Sequence, residues 1–328
     1  MFKERNYLLK NIAAPIGASL FVLTMLISVD RGFDYSLPNT LQDFITLSLS
    51  IFIEALPFIV LGALLATIVN RYVPVHKIQS MLPQNGFLRR GAISLFGFVM
   101  PVCECGNVPL SRSLIARGFK PSEALAFLLA APVINPVTIW ATWAAFSYDT
   151  SIVYSRVLLT LAIAAIISYI VSLKQNENDL LTKSFAAACD ADHVHQEHRS
   201  FGRDFTSEAY LMLRMLAVGA IIAGLVQTLV PRELLVDIGS NAVLSVVAML
   251  ALAFVVSICA NVDAFFALSF AGTFGAGSIV SFLVFGPMID IKMLTLLKTT
   301  FTRELLAVVS ILALILSAVG GLVVTYAY

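Results

Sequence analysis

Long apolar runs separated by short polar turns dominate the chain. They cover roughly Ile12–Val29, Phe44–Val69, a stretch from Gly91 into PVCECGNVP, Ser122–Phe146 and Thr150–Leu173. They resume at about Ser207–Leu229, Val243–Ser257, Ile279–Leu297 and Leu305–Tyr326. Apolar stretches of about 18 residues or more with few charges have the length of membrane-spanning helices. No alternating strand pattern appears, so the expected class is an all-α polytopic membrane protein. The segment KQNENDLLTKSFAAACDADHVHQEHRSFGRDF breaks the rhythm, being polar, charged and long enough for a soluble loop. The expected organisation is therefore an N-terminal span and external loop (1–42), a first membrane repeat (43–173), a polar cytoplasmic loop (174–206) and a second membrane repeat (207–328).

The repeat is read from polar residues in register. GALLATIVNRYVP at 62–74 lines up with GAIIAGLVQTLVP at 219–231. Further on, Cys105-Gly-Asn107-Val-Pro109 lines up with Cys259-Ala-Asn261-Val-Asp263, and Pro132-Val-Ile-Asn135 with Pro287-Met-Ile-Asp290. Apolar segments resemble one another by chance, but Cys, Asn and Pro recurring in one order do not.

Composition fits a membrane protein and excludes other classes. The 328 residues are 59% hydrophobic and 12% charged, against about 45–50% and about 25% in soluble domains. A net charge of +1 gives no electrostatic reason for nucleic-acid binding. Four cysteines, none in a CxxC pair, make no disulfide framework. With no Walker A string, HExxH or GxSxG, an enzyme reading gains no support and no cofactor is expected.

Lys and Arg favour the cytoplasmic side of short loops, and this orients the spans. Lys3, Arg5 and Lys10 precede the first run, and SVDRGFDYS after it lacks a small-residue cleavage site; an uncleaved anchor with a cytoplasmic N-terminus is expected. Basic residues flank the cysteine segment on both sides: Arg89 and Arg90 before it, Arg117 and Lys120 after it. A re-entrant segment that turns at Pro101–Pro109 keeps both clusters inside; a plain crossing puts one outside. With the re-entrant reading each half has three crossings and the halves are inverted, the arrangement in which transporters place their substrate site between the halves.

Charges inside apolar runs, Glu104 and Arg112 among them, are costly and need a partner or a wet cavity. Arg156, Arg214 and Lys292 lie near predicted span ends, where snorkelling explains them. Asp263 and Asp290 fall on the repeated motifs and read either as proton-coupling groups or as a salt bridge and a helix cap. Glu54, three residues before Pro57, reads as a proton-transfer group or as a structural partner of a basic residue. Cys103 and Cys105 are two apart, so an extended backbone puts both sulfurs on one face. Cys259 from the other half supplies a third thiol for a soft ion; buried free cysteine as a small hydrophobe is the alternative. Gly106 permits close backbone approach, and Asn107, Asn135 and Asn261 offer polar contacts to a substrate or glue between helices. In the loop, His193, His195, His198 and Cys189 form a weak metal-binding cluster or a solvated linker.

PVCECGNVPLSRSLIARGFKPSEALAFLLAAPVINPVTI, with the later CANVDAFFALSF and FLVFGPMIDIK, resembles the bacterial predicted-permease family of YraQ-like proteins and organoarsenical efflux permeases. The resemblance runs from about Leu47 to Val324. It implies an inner-membrane permease, and the family's best-studied members export trivalent organoarsenicals, which bind thiols. The matching positions are Cys103, Cys105, Gly106, Asn107, Pro109, Pro132, Asn135, Pro136, Cys259, Asn261, Asp263, Pro287 and Asp290. The additional cysteine of the pair, Cys103, and the His-containing loop leave arsenical, soft metal species and sulfur compound open as substrates. The leading expectation is a secondary transporter exporting a thiophilic solute. Its rivals are an uncoupled channel and a membrane scaffold served by a metal-handling partner protein.

Overall fold

A computed structural model describes residues 39–72, 82–98, 102–195, 201–229 and 242–327, except for the side chains of Asn39, Phe87 and residues 190–195. The N-terminal span expected at Ile12–Val29 lies outside the described residues. Every regular element among the described residues is helical, with a single isolated bridge between Leu181 and Phe301.

The first half contains α1 (Asn39–Tyr72), α2 (Gly86–Ser94) with a 3₁₀ turn at Leu95–Phe98, α3 (Glu104–Ala116), α4 (Pro121–Ile134), α5 (Pro136–Ala145) and α6 (Thr150–Ser172). A 3₁₀ turn at Glu177–Leu180 and α7 (Lys183–His195) follow. The second half contains α8 (Phe201–Leu229), α9 (Ala242–Val256), α10 (Asp263–Leu268), α11 (Ala276–Met288), α12 (Ile291–Leu297) and α13 (Arg303–Ala327). Among the described residues six helical stretches are long and apolar enough to cross a membrane: Thr40–Tyr72, Pro121–Ala145, Thr150–Ser172, Phe201–Leu229, Ala276–Leu297 and Arg303–Ala327.

Burial sorts these helices into two kinds. α4 is buried at every position, and α11 at all but its first. A helix that is apolar all round belongs in the centre of a bundle. The outer helices keep large apolar side chains on the surface: Leu158 and Ile166 on α6, Ile221 and Leu225 on α8, Ile311 and Ile315 on α13. Such faces suit lipid rather than water. Trp140, Trp143, Tyr148 and Tyr154 are exposed around the α5–α6 turn, as interfacial aromatics are.

Both central helices are broken, and each break falls at a motif singled out in the sequence. Asn135 caps α5 by accepting from the Val137 amide at 2.9 Å, and Pro136 takes the first helical position, where its missing N–H costs nothing. Asp290 caps α12 by accepting from the Met293 amide at 2.6 Å. The helix-cap reading of Asp290 is therefore realised.

The cysteine segment is two short helices joined by a break. Arg89 at the start of α2 lies 2.7 Å from Glu123 in the first turn of α4, and its guanidinium covers the Phe119 ring. The beginning of α2 and the turn that follows α3 thus meet at one end of the bundle. α3, thirteen residues long, reaches about 20 Å inward from that end, against a hydrocarbon thickness of about 30 Å. The turn differs from the expected Pro101–Pro109 span. α3 already begins at Glu104, and Pro109 sits inside it, leaving the Cys105 carbonyl without its helical donor.

The segment after α6 is more than a solvated linker. Leu180, Leu181 and Phe185 are buried, the Leu181–Phe301 bridge pins the strand-like stretch, and Glu177 accepts from the Ser122 amide at the start of α4. Beside it, Arg112 of α3 pairs with Glu208 of α8 at 2.8 Å, donates to Thr299 and Thr300, and lies over the Phe185 ring. Three apolar residues inside a polar stretch therefore dock together with these polar contacts.

Candidate functional site

Two close helix approaches build the walls of the site. Gly62 of α1 faces Gly106 of α3 so tightly that a Cβ on Gly62 would overlap the Gly106 backbone, and one on Gly106 would overlap Phe58 O. Gly219 of α8 meets α12 at Lys292 and Thr295 in the same way. Gly106 sits in the first turn of α3 and Lys292 in the first turn of α12.

There Cys103, the extended residue capping α3, and Glu104 and Cys105 of its first turn meet Cys259 and Lys292 from the second half. Lys292 Nζ lies 2.9 Å from Glu104 Oε1 and 3.5 Å from Asp290 Oδ2, and donates to Ser257 O at 2.8 Å. Cys259 Sγ donates to Glu104 Oε2 at 3.5 Å. One ligand atom each from Cys103, Glu104 and Cys259 lies within 4.8 Å of the others. All of these residues are buried, and Ile51, Ala55 and Phe58 of α1 close a crevice too tight for a water molecule over them, with Glu54 at its lining. Ser257 is the single non-glycine residue with positive φ (50°) among the described residues. Such a backbone is costly for a residue with a Cβ, and here it turns a free carbonyl onto the Lys292 ammonium.

A second buried pair stands apart from this crevice. Arg156 of α6 binds Asp263 at the start of α10 with both terminal nitrogens, at 3.0 and 2.7 Å, and donates to Thr142 at 2.6 Å. Snorkelling does not describe Arg156, which is 1% exposed, nor Lys292 at 2%. Each lies inside the bundle opposite a carboxylate from the other half. Arg214 alone of the three is exposed.

The other expected residues fall as follows. Asn107 and Asn135 both turn their amides to Val102 O, at 3.5 and 3.3 Å, and so tie the break before α3 to the break before α5. Asn107 Oδ1 is buried with no hydrogen-bond partner among the described residues. Asn261 is half-buried and accepts from Thr138 at 3.0 Å, so the two repeated asparagines have separate partners. Glu54 is exposed at the crevice. Cys189 of α7 packs against the core; His193 and His195 fall in α7, but their side chains, like all of His198, lie outside the described residues. Sequence reasoning noticed Glu104 only as a charge in an apolar run. Its place between two cysteines was the available signal.

Among the described residues, six apolar helices, two of them broken at the centre of the bundle, surround buried thiols and crossed ion pairs, the make-up of a multi-pass membrane protein. Residues 40–326 match the ArsP_1 predicted permease family, and the chain belongs to it. The UPF0718 protein YcgR of Bacillus subtilis (strain 168) is 36% identical over 84% of this chain and 95% of its own length. A Streptococcus mutans serotype c protein, named as a subunit of a two-component membrane permease complex, is 33% identical over 82% of this chain and 90% of its own. No solved structure matches the chain.

Proposed function

We propose that this permease is a secondary transporter of the bacterial inner membrane that exports a small thiophilic solute, such as a trivalent organoarsenical or a soft metal ion. The carrying observation is the meeting of Cys103 and Cys259, from opposite halves of the chain, with their sulfurs and a Glu104 oxygen within 4.8 Å. Soft thiol ligands select soft centres. A packing role for three cysteines does not call for a carboxylate and an ammonium beside them.

The six crossings divide three and three between the halves, which supports an inverted pair with the N-terminus in the cytoplasm. Arg89, Arg112, Arg117, Lys120 and Arg303 belong to the end of the bundle where α2 enters and α3 leaves; we place that end in the cytoplasm. Coupling is assigned to Asp290, 3.5 Å from the Lys292 ammonium, and to Glu54, at the lining of the crevice. Asp263, held at both oxygens by Arg156, is assigned to joining the halves. A continuous open channel is at odds with so narrow a crevice. The name of the Streptococcus mutans relative favours a second protein component for this chain as well.

Equilibrium binding tests the reading. Purified protein in detergent is expected to retain about one arsenic per chain from phenylarsine oxide, which bridges paired thiols. The Cys103→Ser, Cys259→Ser double variant is expected to retain none, and Cys189→Ser to behave as wild type. Full retention by the double variant overturns the thiol site.

A further inference from the structure

We propose that Glu104 is the proton carrier for thiol exchange at this centre. The role rests on the thiophile reading above and extends it to a residue that supplies no soft ligand.

The geometry divides the work between the two carboxylate oxygens. Oε1 faces Lys292 Nζ at 2.9 Å, while Oε2 accepts the Cys259 thiol at 3.5 Å. Lys292 is itself fixed from the far side by Ser257 O and Asp290. The lysine therefore orients the carboxylate, and the oxygen left over points at the sulfur. A neutral thiol is a poor nucleophile; the thiolate reacts. Water, the ordinary proton acceptor, has little room in a crevice this narrow, so the base must be built in.

The step balances without an oxidant or reductant. For a solute R–As(OH)₂, Cys259 Sγ forms an As–S bond as one As–O bond breaks. The thiol proton passes to Glu104 Oε2 and from there to the departing hydroxide, which leaves as water. Glu104 ends in its starting state, and the same exchange at Cys103 completes a dithiolate. Release at the other side of the membrane is the reverse, with water returning the hydroxides and Glu104 returning the protons.

The charged and titratable groups around Glu104 are Cys103 and Cys105 on its own segment, Glu54 from α1, Cys259 from the break before α10, and Asp290 and Lys292 from the second broken helix. Beyond Cys259 lies Asp263, already neutralised by Arg156. Glu104 is the carboxylate that accepts from a thiol among the described residues.

The test is the rate of phenylarsine oxide capture by the full chain in detergent, quenched with a small dithiol, across about pH 6 to 8. Wild type is expected to show a nearly flat rate, because its base is internal. Glu104→Gln is expected to be slower at neutral pH on the order of a hundredfold. Its rate should climb about tenfold per pH unit, since thiolate must then form with bulk hydroxide. Glu104→Asp should restore the flat profile. If Glu104→Gln fails to fold with Lys292 left unpaired, the Glu104→Gln, Lys292→Met double variant removes both charges and carries the same expectation. Capture by either carboxylate-free variant at the wild-type rate and with a flat profile overturns the role of Glu104 alone. Absence of capture by wild type overturns the thiophile reading, and this role falls with it.

Discussion

Arg156 of α6 and Asp263 of α10 form a two-pronged ion pair, at 3.0 and 2.7 Å, with both side chains almost wholly withdrawn from the surface. The second buried pair, Lys292 with Glu104, likewise joins a residue before the α7 segment to one after it. Each pair thus ties one half of the chain to the other.

Removing one partner of such a pair leaves a buried charge uncompensated, which costs about 3–5 kcal/mol. Arg156→Met and Asp263→Leu are each expected to lower the thermal midpoint in detergent sharply. The double variant should recover a large part of the loss. Purely additive losses would show that the pair carries no coupling.

The close backbone approaches make a sharper steric forecast. Gly62→Ala and Gly106→Ala each place a methyl group against backbone of the facing helix, which cannot move aside alone. Overpacking of this kind costs about 1–3 kcal/mol, so both variants should unfold at lower temperature. Gly91→Ala, where a Cβ meets nothing within 4 Å, should be neutral or gain about 1 kcal/mol from helix propensity.

Arg112 ties α3 to Glu208, to Thr299 and Thr300, and to the Phe185 ring. Arg112→Ala should raise amide hydrogen exchange in residues 177–189 and 299–302 together, because one side chain serves both. Lysine there keeps the charge but lacks the planar fork, and should protect only in part. Unchanged exchange in both stretches would show that the segment docks through Leu180, Leu181 and Phe185 alone.

The Arg89–Glu123 contact forecasts a labelling pattern. Single cysteines at Gly86 and Lys120 should react with an impermeant maleimide in everted vesicles, and neither should react in whole cells. Labelling of one from each side would break the in-and-out geometry of α2 and α3.

Much of this fold was legible in the sequence, because spans are written in long apolar runs. The six helices of crossing length among the described residues followed from run lengths, but the breaks at Asn135 and Asp290 did not, because Ser122–Phe146 and Ile279–Leu297 read as unbroken runs and the expected breaks were Pro101–Pro109 and Ser257–Asp263. Single-residue depth was harder to read. Arg156 lies seven residues into α6, where position alone suits snorkelling; only its tertiary partner, Asp263, explains its burial. Lys292 was misread for the same reason, its acceptors being the distant Glu104 and a carbonyl freed by the left-handed turn at Ser257. The two Cys-x-Asn motifs look equivalent as strings but fold differently: Cys105-Gly-Asn107 is helical, whereas Cys259-Ala-Asn261 is the break itself. No local signal distinguishes them, since Pro109 is tolerated inside α3 and Asp263 begins α10.

Transport by the thiol centre is the claim on which the rest depends. The direct measurement is accumulation of a trivalent organoarsenical in everted membrane vesicles, energised by a proton gradient, with wild type compared against the Cys103→Ser, Cys259→Ser double variant at equal membrane levels. The account predicts gradient-dependent accumulation by wild type and none above the empty-membrane background by the double variant. Equal accumulation by the two proteins would contradict it and return these cysteines to packing.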